Sequence, residues 1–74
     1  MIKINKAYLN RFKLSHHEYL YQVEKGIYLA FDENTLEYIG IELFYLLDPK
    51  KYNKLVDSEL NHLLSVNILE SEVN

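Results

Sequence analysis

The residues of this chain best suited to chemistry are three histidines and the carboxylates beside them: His16-His17-Glu18 in one run, Glu59 and His62 in another. Imidazole and carboxylate together can hold a divalent metal or pass a proton, but only when several are fixed at a set spacing. His16 and His17 are adjacent. Adjacent side chains on an extended segment point to opposite sides, so the pair does not easily share one ion. No spacing ties Glu18 to Glu59 or to His62, and a solvated or capping role is the simpler reading for all three histidines. Other catalytic patterns are missing from the sequence: there is no Gly-rich phosphate loop, no GxSxG, no HExxH and no cysteine. The remaining carboxylates fall on predicted turns and exposed faces. The expectation is a protein without a catalytic centre, metal site or cofactor, which acts by binding.

Composition bounds what kind of binder this is. Seventy-four residues make one small domain, and a chain of this size buries only roughly 60% of the surface that its unfolded form exposes. Without cysteine neither disulfides nor thiolate metal sites supplement the core, which fits a cytoplasmic setting better than a secreted one. No apolar run approaches the ~20 residues that span a bilayer, and residues 1–14 lack the continuous apolar stretch of a signal peptide. The formal charge of −3 weighs against a dedicated nucleic-acid partner. That charge is uneven: Lys3, Lys6, Arg11 and Lys13 give the first 14 residues +4 with no acid, and the rest of the chain carries −7. The plain reading is a solvated basic arm; the sharper one is a basic edge that attracts an acidic peptide or nucleic acid. Seven tyrosines and three phenylalanines with no tryptophan imply that tyrosines share the core and that some stay at the surface, where they serve binding.

The elements that would carry a binding surface emerge from periodicity. In the arm, residues 1–12, Ile2 and Ile4 alternate like a strand, whereas Tyr8, Leu9 and Phe12 recur at helical spacing. Residues 13–40 read as a three-stranded antiparallel meander. Tyr19, Tyr21 and Val23 alternate with Leu20, Gln22 and Glu24, Lys25-Gly26 turns the chain, and Ile27, Leu29 and Phe31 alternate on the way back. Asp32-Glu33-Asn34-Thr35 is a second turn, and Leu36, Glu37, Tyr38 and Ile39 form the third strand, ended by Gly40. Residues 41–69 read as three short helices. The first, 41–47, is expected to be buried; the second opens at Pro49; the third is capped by Asp57 or Ser58 and buries Leu60, Leu63 and Leu64. Asn67 sits where a left-handed closing residue is expected, Ile68 and Leu69 pack back, and residues 70–74 form a tail.

Two stretches carry a resemblance. Lys13-Leu14-Ser15-His16-His17-Glu18-Tyr19-Leu20, followed by Gly26-Ile27-Tyr28-Leu29-Ala30-Phe31-Asp32-Glu33-Asn34-Thr35-Leu36, resembles the opening of PqqD-like RiPP recognition elements, the leader-peptide-binding domains of ribosomal peptide maturation. Leu60-Asn61-His62-Leu63-Leu64-Ser65-Val66-Asn67-Ile68-Leu69 is similar to their last helix, with Asn67 in place of a glycine. The resemblance implies a small α+β, winged-helix-like domain, a meander followed by three short helices. It implies no catalysis, and a partner that is a precursor peptide together with its modifying enzyme. The peptide would add as a fourth strand along Leu36, Glu37, Tyr38 and Ile39, with Leu60 and Leu64 lining the groove beside it. The shorter middle helix and the basic arm depart from that pattern.

Two other functions compete. Acidic charge, tyrosines and small size also suit a regulatory or inhibitory protein of the mobile-element type that caps a folded host enzyme. A winged-helix DNA binder using Lys50, Lys51 and Lys54 is the third reading, disfavoured by the net charge. An unpaired third strand would also offer an edge for homodimerisation.

Overall fold

The computed structural model describes residues 1–72. In chain order the elements are β1 (Ile2–Ile4), a 3-10 helix (Lys6–Arg11), β2 (Lys13–Ser15), β3 (Glu18–Glu24), β4 (Ile27–Asp32), β5 (Tyr38–Leu43), α1 (Pro49–Ser65) and β6 (Leu69–Ser71). The domain is α+β. Its main sheet is an antiparallel meander ordered β2-β3-β4-β5, and β1 and β6 pair as a separate two-stranded ribbon.

The turns set the register of the meander. Gly26 reverses β3 into β4 at φ +83°, a conformation that costs glycine nothing. Asp32 closes the next turn by accepting from the backbone N–H groups of Asn34 and Thr35, both at 2.8 Å. Those two donors hold its carboxyl below the usual value. Leu36 then takes a left-handed φ of +65°, which turns its side chain into the core. Cross-strand pairs Tyr21↔Leu29 and Leu29↔Ile41 put one face of the sheet on the core, and Gln22↔Tyr28 and Tyr28↔Glu42 define the other, open face.

Packed on the inner face are the 3-10 helix, α1 and the β1–β6 ribbon, meeting in a core of Ile4, Phe12, Leu29, Phe31, Val56, Leu63 and Leu69, among others. With no tryptophan present, four rings line up across the sheet. Tyr21 meets Phe12 at 5.4 Å, Phe12 meets Phe31 edge-on at 5.3 Å, and Phe31 meets Tyr38 at 5.5 Å. Burial pushes the Tyr38 hydroxyl up, and so does nearby Asp57.

Four expectations are corrected. The meander has a fourth strand, β2, because two adjacent residues, His16 and His17, both take positive φ and make a two-residue hairpin turn. Gly40 does not end the third strand; β5 runs through it to Leu43. In place of three short helices the described residues form one α-helix of 17 residues besides the 3-10 helix. Asp48 caps it by accepting from Lys50 N–H at 3.0 Å, Pro49 occupies the first turn, and Asp57 and Ser58 lie inside it. Tyr52, Val56, Leu60, Leu63 and Leu64 keep one stripe on the core through that point, so no local signal is strong enough to break it. The expected tail is strand in part: Leu69–Ser71 pairs with β1, and the rest of the segment beyond Glu72 lies outside the described residues. Among the described residues no helix is long and apolar enough to cross a membrane.

Candidate functional site

The histidines and carboxylates do not assemble. His16 and His17 are exposed at the β2–β3 turn, where His17 Nδ1 lies 3.0 Å from Glu33 Oε1. Glu59 accepts instead from the Tyr21 hydroxyl at 3.3 Å, which, after burial, helps push that phenol up. His62 sits in the last turn of α1. Among the described residues no three His, Asp or Glu side chains come together in a way that could hold a metal ion.

The six residues expected to form a groove divide differently. Leu36 is buried (6% exposed), and Tyr38, Leu60 and Leu64 pack against the same core. The edge beside them is not free, because β1 occupies it: Ile4 N–H donates to the Leu36 carbonyl at 2.9 Å, and Lys3 bridges Glu37. Ile39, 55% exposed, is the extra residue of a bulge opposite the step from Ala30 to Phe31. A bulge at an edge twists the strand away from further pairing. The chain thus supplies its own strand where an incoming one was expected.

Beyond the bulge the edge is open. Phe44 N–H donates to the Gly26 carbonyl at 3.0 Å, so the alternate residues Glu42 and Gly40 face β4, and Ile41 and Leu43 turn their backbone groups outward. Among the described residues no strand pairs with them there.

The segment after β5 is the part of the surface that sequence reasoning missed. Residues 44–47, Phe-Tyr-Leu-Leu, belong to the stretch expected to be a buried helix. They are instead the connection to α1, and all four side chains are exposed: Phe44 at 61%, Leu46 completely. Leu55 on α1 extends the same apolar surface. The cause is positional. β5 pairs as far as Leu43, Asp48 already caps α1, and the residues between have no layer to bury against. The signal available was the alternation of Ile39, Ile41 and Leu43 with Gly40 and Glu42, which a strand explains as well as a helix explains Leu43, Phe44 and Leu47.

The loop is nonetheless fastened. The Tyr45 ring lies against Gly26, where any Cβ would collide with it, and the Phe44 ring packs on Tyr28 with centroids 4.8 Å apart. Its two ends wall two hollows. One, of about 260 Å³, lies between the β3–β4 turn and the start of α1, with Ile27, Leu47, Tyr52 and Leu55 as its apolar lining and Lys25 and Lys51 among its charges. The other, of about 290 Å³, is on the open face of the sheet between Phe44 and Tyr28 at one side and Arg11 and Lys13 at the other. On that face Glu18 is near Glu42, and hydrogen bonding with it, loss of water and its charge together raise the Glu18 carboxyl above its ordinary value. Comparison with protein-family models, with curated proteins and with solved structures gave no match.

Proposed function

We propose that this domain is a non-catalytic binding module for another polypeptide, contacted through the open end of β5 and the loop at residues 44–47. One observation carries the reading: four consecutive large apolar side chains, Phe44 to Leu47, are all exposed, whereas the other exposed apolar residues, such as Leu14, Ile39 and Val66, stand singly in the sequence. Contiguous apolar surface of this kind costs free energy until something covers it. An extended segment suits the geometry. It would pair with the outward backbone groups of Ile41 and Leu43 and set a side chain against Leu47, Tyr52 and Leu55. That keeps the leader-peptide capture implied by the PqqD-like resemblance, with the contact moved along the strand from Leu36, Glu37, Tyr38 and Ile39 to residues 40–47. On this reading the domain is a reduced winged-helix-like element in which α1 stands for the three expected helices.

The fully exposed Leu46 favours a second reading, since a projecting side chain fits a pocket on a folded partner better than it fits a strand. Amide chemical-shift titration with precursor peptides encoded beside the gene separates the two. Saturable shifts at residues 40–47 and 51–55, lost in Leu46→Asp, support peptide capture. Silence toward every peptide, with a folded protein recovered by the wild type and not by Leu46→Asp, transfers the surface to the regulatory reading.

A further inference from the structure

The hollow on the open face has a chemistry of its own. Two cations reach it, Arg11 and Lys13, and among the described residues no acid lines it, in a chain whose net charge is −3. Among the described residues neither cation has a salt-bridge partner, whereas Lys3 of the same segment is taken by Glu72 at 3.3 Å. The Arg11 guanidinium lies 5.4 Å from the Tyr8 ring centroid, a stack that positions the group while leaving its N–H donors free. Leu20 and the Tyr28–Phe44 ring pair supply apolar walls. Such walls lower the local dielectric and strengthen a charge-assisted hydrogen bond formed between them. Phe44 belongs to this hollow and to the exposed loop at once, so an occupant of one is within reach of the other.

We propose that this hollow receives an acidic side chain of the polypeptide partner, its carboxylate held by Arg11 and Lys13 and its neighbouring apolar residue laid against Tyr28 and Phe44. The inference rests on the polypeptide-binding reading and adds to it the partner's chemistry: a segment in which Asp or Glu stands close to an aromatic or aliphatic residue. Charge complementarity decides for a peptide over a nucleic acid. The face offers two cations, not a row of them, and Glu18 and Glu42 stand on the same face outside the hollow's lining, which disfavours a polyphosphate chain that must run on past them.

The test is selection of a displayed random-peptide library on the full chain, with the affinity of the retained peptides then measured at low and high salt. Enrichment of Asp or Glu beside an aromatic or leucine is expected, with affinity that falls as salt rises. Arg11→Glu with Lys13→Glu should weaken those peptides by about ten- to hundredfold, the range of a hydrogen bond to a charged group. Both side chains are exposed, so the fold persists, and Lys13→Ala gives a milder second reading. Enriched peptides that lack acids and ignore the charge reversal, yet are lost in Leu46→Asp, overturn this inference and leave polypeptide binding standing. Retention of no peptide overturns this inference together with peptide capture and leaves only the folded-partner reading. Salt-steep retention of a single-stranded oligonucleotide through Arg11 and Lys13, with no acidic peptide retained, assigns the hollow to nucleic acid and overturns the proposal.

Discussion

Replacing Gly26 by alanine tests whether the apolar loop is held where the structure puts it. Gly26 has φ +83°, and an added Cβ would collide with the Cδ2–Cε2 edge of the Tyr45 ring. The left-handed backbone alone costs a Cβ-bearing residue roughly 1–2 kcal/mol. Overpacking adds about 1 kcal/mol, the low end of its usual range, because the half-exposed Tyr45 can swing out. A total of about 2–3 kcal/mol is a large share of the roughly 4–11 kcal/mol expected for a domain of 74 residues. It would lower Tm by roughly 10–20 °C. Urea unfolding of Gly26→Ala, Tyr45→Ala and the double variant forms a cycle. With Tyr45 shortened, the glycine substitution should cost only its backbone share, leaving a coupling of about 1 kcal/mol. A Gly26→Ala protein as stable as the wild type would refute the backbone assignment. An equal cost in both backgrounds would show that the ring does not rest on the turn.

Two further outcomes concern the core and the open face. Leu63, 1% exposed, should lose about 2–5 kcal/mol on change to alanine, and Leu64→Ala less, since that side chain is only partly buried; denaturant midpoints check the order. For Glu18 the folded-state carboxyl is raised, chiefly by hydrogen bonding with Glu42, so the stability it contributes is full below the unfolded carboxylate range and is lost as pH rises through the folded value. Glu18→Gln should therefore match the wild type in acid and exceed it slightly at neutral pH, with the gap narrowing in salt because the group remains in contact with solvent. A gap that is the same at both pH values would remove the carboxylate pair from the account.

The sequence by itself determined the parts of this protein that short-range physics decides. The turn at Gly26, the carboxylate-closed turn at Asp32, the left-handed Asn67 and the alternation of β3 and β4 are each settled within a few residues by allowed dihedrals and period-two burial. The inward roles of Leu60, Leu63 and Leu64 arise in the same way from helical spacing. Tertiary structure decided the rest. Residues 2–4 find residues 69–71 across nearly the whole chain, and that ribbon also occupies the edge beside Leu36 and Glu37; no local pattern encodes a partner so distant. Residues 41–47 carry an apolar pattern that fits helix and strand alike. The conflict is settled at Leu43, where pairing with Ile27 ends and the capped α1 has yet to begin. What looked like core became surface because burial depends on which layers are left to cover a segment, and by that point in the chain none were.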